Sequence, residues 1–331
     1  MTNVMPHIIR ILVKKIARLI VLLIGITFIS FLVIHLAPGN PVDAQNQMNP
    51  RMTTQAKEKL AQLYGLDKPV LVQYANWCRR LLLFDFGNSF MDGKKVTQKI
   101  GEAIPVTLVI NLLSLLIIFF AGVPLGVLGA LRKDAATDKM IGVLSLFLLS
   151  VPAFWLSLVL VWVFGVCFRV FPASGIHSLF YEEMPPFLRF LDLAKHLALP
   201  VFISSLAGLA ALSRYMRSSM IEVLGQNYIR TARAKGLPER EVLYRHALKN
   251  AILPVLTILG LSIPGLLGGS VVIETIFSIP GMGRLFFNSV FARDYPVIMG
   301  MLTLGAILTL LGNTLADLAY AWADPRVRDV R

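Results

Sequence analysis

Six long apolar runs decide what this chain can fold into. A helix needs about 20 mostly apolar residues to cross a bilayer, and residues 16–36, 104–131, 140–170, 196–215, 251–276 and 297–320 all qualify. The centres of these runs hold no Lys, Arg, Asp or Glu. The run at 140–170 is longer than a bilayer core needs, so it is expected to tilt or to extend beyond the core. Of the 331 residues, 56% are hydrophobic and 15% charged, so two soluble domains are excluded and an all-α polytopic membrane protein with six transmembrane helices is expected.

The net charge of +13 would suggest a polyanionic partner in a soluble protein. Here the charges lie between the apolar runs, and topology explains them without nucleic acid. Segments 1–18, 132–139, 214–250 and 323–331 carry 18 Lys and Arg in 72 residues, against 14 in the 114 residues of segments 37–103, 169–195 and 277–296. The richer set belongs inside, which puts the N- and C-termini in the cytoplasm. The first run exceeds the 7–15 residues of a signal core and lacks a small-residue cleavage site, so it reads as an uncleaved anchor. The expected organisation is a cytoplasmic N-terminus (1–15), a first span (16–36), an external helical loop (37–103) and a core (104–331) holding the remaining spans.

The external loop carries its own helix signals. Thr53 or Thr54 can cap a helix over 55–64, with Gly65 where it stops. Pro69 can open a second helix with Val70, Tyr74, Trp77 and Leu81 on one face, which lies on the outer membrane surface or on the spans. Cys78 and Cys167 could form one bridge in an oxidising compartment or remain free, packed thiols.

No phosphate-binding G-x-x-x-x-G-K-[ST] loop occurs; Gly93-Lys94 lacks the earlier glycine because position 88 is Asn88. His7, His35, His177, His196 and His246 are scattered and read as interfacial or solvated residues. Glu274 and Asp317 fall near span ends, where they could sit at the interface. Without carboxylates at membrane depth, coupling to an ion gradient has little support. Gly122, Gly126 and Gly129 suit close helix packing. Pro264, Gly265, Gly268 and Gly269 suit either packing or motion in the fifth span. Asn111, Ser114, Ser150, Ser204, Ser205 and Ser262 could line a pathway or bond the preceding turn of their own helices.

The stretch "RYMRSSMIEVLGQNYIRTARAKGLPEREVLYRHALKNAILP" (214–254) is the longest loop expected in the cytoplasm. Residues 219–235 read as one helix, with Met220, Val223, Leu224 and Tyr228 on one side. Gly236 suits a left-handed stop. Pro238, Glu239 and Glu241 suit the start of a second helix over 238–250. Such an element, tied to two spans, can act as a lever for a partner. Thr231, Ala232, Ala234 and Gly236 allow close approach, and Arg230, Arg233 and Lys235 supply charge. A solvated basic loop is the plainer reading of the same spacing.

This stretch resembles the "EAA" loop of ABC importer membrane subunits, in the form "YIRTARAKG" of the peptide/nickel branch. The family's Glu-Ala-Ala positions read Arg230-Thr231-Ala232 here, so the glutamate is missing. "HLAPGNP" (35–41), "YGLDKPVLVQYANW" (64–77), "DFGNSF" (85–90), "ETIFSIPGMGRLFFNSVFARDYPVIMG" (274–300) and "DPRVR" (324–328) are similar to other parts of that branch, nearest its B-type subunit.

The resemblance implies a type I ABC importer permease in a bacterial inner membrane. It implies a second homologous permease subunit, two ABC ATPase subunits, an extracytoplasmic binding protein and surrounding lipid as partners. ATP and magnesium would be bound in the ATPase chains, with no cofactor and no catalytic residue in this one. Tyr228, Arg230, Thr231, Ala232, Arg233, Ala234, Lys235, Gly236 and Leu237 would form the ATPase-coupling element. The expected cargo is a di- or oligopeptide, with nickel or another small peptide-like ligand as the alternative. A secondary transporter or channel is the alternative of a different class.

Overall fold

The computed structural model describes residues 4–39, 41–42 and 53–323. The "DPRVR" segment and Asn40 of "HLAPGNP" lie outside the described residues. Regular structure among them is helical, apart from one isolated bridge between Asn88 and Lys95. Four helices are long and apolar enough to cross a membrane, with spans at Leu19–Leu36, Val96–Leu131, Pro186–Leu224 and Tyr295–Gly312. Two bent pairs, Ala136–Ser150 with Ala153–Cys167 and Glu239–Gly260 with Gly265–Ile276, raise the number to six if each is one span.

The chain divides into two compact units. One comprises residues 1–104 and 285–331. Its first helix, α1 (Val4–Leu36), begins well before the apolar run. Ile20, Val21 and Leu22 on it are exposed. The next helix, α2 (Thr54–Tyr64), starts where the Thr53 side chain accepts from the Ala56 amide at 3.3 Å, and ends at Gly65 with φ +68°. After Pro69 comes α3 (Val70–Leu82). Tyr74 on α3 hydrogen-bonds Thr27 at 3.0 Å and donates to the Ile24 carbonyl at 3.2 Å, and its ring meets Phe28 edge-on. The aromatic face of α3 therefore rests on the first span. In the same unit Asp294 is buried, accepting from Ser89 Oγ at 2.5 Å and the Phe90 amide at 2.9 Å.

The other unit comprises residues 105–284. Most of α4 (Val96–Leu131) lies in it, followed by α5 (Ala136–Ser150), α6 (Ala153–Leu160) and α7 (Pro186–Leu224). The 140–170 run, expected to tilt or to extend beyond the core, contains a break. Val151 is extended (ψ 125°) before Pro152, and the two halves meet at 98°. A residue before proline is driven out of the helical region, so the apolar run folds as two helices. Gly122 and Gly126 on α4 pack against α7: a Cβ at Gly126 would fall 2.5 Å from the Ser213 carbonyl oxygen and 2.6 Å from Met216 Cβ. Asp138, at the start of α5, is buried and bound bidentately by Arg217 of α7 at 2.5 and 2.7 Å.

Four of the six polar residues considered for a pathway bond their own helices. Ser114, Ser150, Ser205 and Ser262 donate to Ile110, Leu146, Phe202 and Ile258 carbonyls. Asn111 does not: it donates to the Leu266 carbonyl at 2.7 Å, pinning a 3-10 turn (Ile263–Leu267) that interrupts the fifth apolar run. Two expectations are corrected in this unit. His196 is buried rather than interfacial, its Nδ1 within 2.8 Å of the Asp192 carbonyl oxygen. Glu274 is only 2% exposed. It accepts from Thr107 Oγ1 at 2.9 Å, the Ser270 amide at 3.3 Å and the Arg284 amide at 3.0 Å. These donors replace the water that a span-end carboxylate would need. Cys78 and Cys167 are both free.

Candidate functional site

The 214–254 stretch is a packed structure, not a solvated loop. The helix expected over 219–235 breaks after α7 ends at Leu224. Gly225 caps α7, Gln226 is extended (ψ 150°), and a new helix, α8 (Asn227–Ala234), begins. The cause is burial. Ile229 and Ala232, three residues apart and so on one face, enter a cluster with Met216, Met220, Val242, Ala247 and Ala251. Ile229, Met216 and Met220 have no exposed surface. Burying an isoleucine side chain contributes about 1.5–3 kcal/mol, enough to offset a break at a glycine.

The turn after α8 is fully hydrogen-bonded. The Gly236 amide donates to the Arg233 carbonyl at 2.9 Å and the Leu237 amide to the Ala232 carbonyl at 3.4 Å. Gly236 has φ +78°. This pair of bonds with a left-handed glycine is a Schellman turn, and Leu237 packs back on the cluster that holds Ala232. Pro238 then precedes α9 (Glu239–Glu241), which runs on as a π-helix over Val242–Leu248. Ser219 of α7 donates to the Ala251 carbonyl at 2.9 Å, tying the two arms together below the turn.

The expected coupling residues divide by this geometry. Ala232 is buried and Leu237 half-buried; both serve the seal. Arg230, Thr231, Ala234, Lys235 and Gly236 are exposed. Thr231 Oγ1 donates to the Asn227 carbonyl at 3.0 Å. Tyr228 is exposed and accepts from Asn250 Nδ2 at 3.2 Å, so it does not share a face with buried Met220 as a continuous helix would require. Arg233 reaches across the turn to Glu239, with bonds of 2.6 and 3.2 Å. These hydrogen bonds raise the pKa of the Arg233 guanidinium above its ordinary value. Both partners are exposed, so the pair contributes about 0.2–1 kcal/mol. Sequence reasoning overlooked Ile229, the anchor of the site, and read Glu239 as a helix-start residue without its pairing to Arg233. The i, i+3 spacing of Ile229 and Ala232 is the signal that marks the first.

Such an arrangement presents a short, rigid, cationic turn on the end of two long helical arms. Among the described residues there is no group of His, Cys, Asp and Glu able to hold a metal.

Comparison with known proteins covers nearly the whole chain. Residues 122–329 match the family described as binding-protein-dependent transport system inner membrane component, and residues 8–111 match its N-terminal companion. The chain is 42% identical to the oligopeptide transport system permease protein AppB of Bacillus subtilis, over 96% of this chain and 98% of that protein. It is 40% identical to a putative peptide permease protein of Brucella ovis, over 93% and 95% of the two chains. It is 36% identical to the di/tripeptide transport system permease protein DppB of Pseudomonas aeruginosa, over 96% and 98%.

Proposed function

The chain belongs to the binding-protein-dependent transport system inner membrane components, and from that membership we propose that it forms half of the translocation pathway of an ATP-driven peptide importer. Membership makes it a multi-pass inner-membrane permease subunit. The finer assignments are ours. Its partners are a second homologous permease, two ATPase subunits and an extracytoplasmic binding protein. Its termini and the 214–250 segment face the cytoplasm, as the distribution of Lys and Arg favours. ATP and magnesium are held by the partner ATPases. The cargo is a di- or oligopeptide, as the names of the relatives favour.

The observation that carries the coupling assignment is the sealed α8 turn. A partner gripping the exposed Arg230–Lys235 side would move α7 and the arm leading into the fifth span together. Ile229, Ala232 and Leu237 join them in one cluster, and close-packed interiors transmit displacement.

Mild extraction of the tagged chain from native membranes, with mass spectrometry of stoichiometric partners, tests this reading. Recovery of a second six-span subunit and P-loop ATPases is expected. Recovery of the chain alone, transporting without ATP, would return it to the channels or secondary carriers.

A further inference from the structure

We infer that the α8 turn docks on an acidic surface: the ATPase groove receiving this chain presents carboxylates opposite Arg230, Lys235 and Arg240. The inference rests on the coupling role proposed above and adds the chemistry of the partner.

Burial of Ile229 and Ala232 fixes which side of α8 faces outward, and that side holds Arg230 and Lys235. Residues 226–250 contain six Lys and Arg and only two carboxylates. Both carboxylates are already engaged within the chain: Glu239 binds Arg233 at 2.6 Å and Glu241 binds Arg245 at 2.9 Å. Each carboxylate of the turn is paired with a cation of this chain, so the unpaired charge of the turn is positive. Arg230, Lys235 and Arg240 are exposed and have no acidic partner among the described residues. A protein surface closing over them must supply negative charge, because juxtaposed like charges are strongly unfavourable and an unpaired desolvated cation is costly.

The surroundings fit a protein more closely than a lipid headgroup. A shallow depression of about 460 Å³ lies beside the turn, formed by Pro238, Arg240, Glu241, Tyr244 and Arg245. Its walls are mostly apolar, and the Tyr244 side chain is 63% exposed. Exposed tyrosine and arginine around an apolar socket are what protein interfaces concentrate. Around Gly236 the turn is open, with no atom within 4 Å of where a Cβ would stand, so a partner can approach its tip.

The test uses the complex purified with its partner subunits and a zero-length carbodiimide, which joins amines only to carboxylates in direct contact. A Lys235 cross-link to an Asp or Glu of an ATPase subunit is expected, lost in Lys235→Arg. The double variant Arg230→Glu/Lys235→Glu should retain about tenfold less ATPase at moderate salt, with its unfolding temperature unchanged. Thr231→Cys, joined to the ATPases by a thiol cross-linker, separates the two claims. If Thr231→Cys cross-links and Lys235 does not, the acidic groove is overturned and coupling stands. If neither does, the coupling role fails and the inference with it. If the double variant keeps its ATPases but loses affinity for phosphatidylglycerol vesicles, the cations serve the membrane and the inference is wrong.

Discussion

Gly236 and Gly281 each stand in a tight connection between helices, and each is needed for a different physical reason. Gly236 has open space around it but a left-handed backbone (φ +78°). There the side chain is absent to free the conformation. Gly281 does not have a left-handed backbone, yet a Cβ there would lie 2.6 Å from both Glu274 Cδ and Thr107 Oγ1. There the side chain is absent to free volume. The Met282 amide donates to Thr107 Oγ1 at 2.8 Å, so the Gly281 turn closes on a fully satisfied polar centre. One turn presents an exposed face, while the other is locked into the interior. The coupling role proposed above needs both a surface to grip and an interior that does not yield.

The comparison makes its largest prediction at Glu274. Glu274→Ala leaves the Thr107 hydroxyl and the Ser270 and Arg284 amides without their acceptor, each costing about 1–3 kcal/mol. Thermal unfolding of the detergent-solubilised chain should show a severe loss; a wild-type melting curve would mean that the centre is not tight. Next comes Gly281→Ala, where overpacking costs about 1–3 kcal/mol, again read by thermal unfolding. Gly236→Val is smaller in stability, about 1–2 kcal/mol for a left-handed L-residue, but larger in function. It should leave membrane insertion intact while uncoupling or shedding the ATPases, measured by uptake per ATP hydrolysed. Gly236→Asn should cost less than the valine, because Asn tolerates the left-handed region; equal damage from both would mean that space, not conformation, rules at Gly236. Smallest is Arg233→Ala, about 0.2–1 kcal/mol, which frees Glu239 and should weaken the turn only slightly.

Much of this architecture is legible in the residues. Thr53, Gly65 and Pro69 mark the helices of the 54–82 region, and Gly236 marks the stop of α8, because capping and left-handed turns depend on local chemistry. The four to six candidate spans follow from apolar length. The break at Pro152 was legible in principle, since proline restricts Val151 whatever its neighbours do, yet the unbroken hydropathy of 140–170 hides it. The break at Gly225 and the burial of Glu274 were not legible. Each is decided by partners distant in sequence: Met216 and Val242 for Ile229, Thr107 and Arg284 for Glu274. At the α8 turn, the small and basic residues were visible as a set. Which of them face inward is set by the break at Gly225, and that depends on the cluster.

The central claim is that the α8 turn transmits ATPase closure to the spans. Its most direct test is the ratio of peptide taken up to ATP hydrolysed in the reconstituted importer, compared for Gly236→Val and Gly236→Asn. The account predicts a collapse of that ratio, or loss of the ATPases, for valine, and near wild-type coupling for asparagine. Wild-type uptake by Gly236→Val with its ATPases still bound would contradict it.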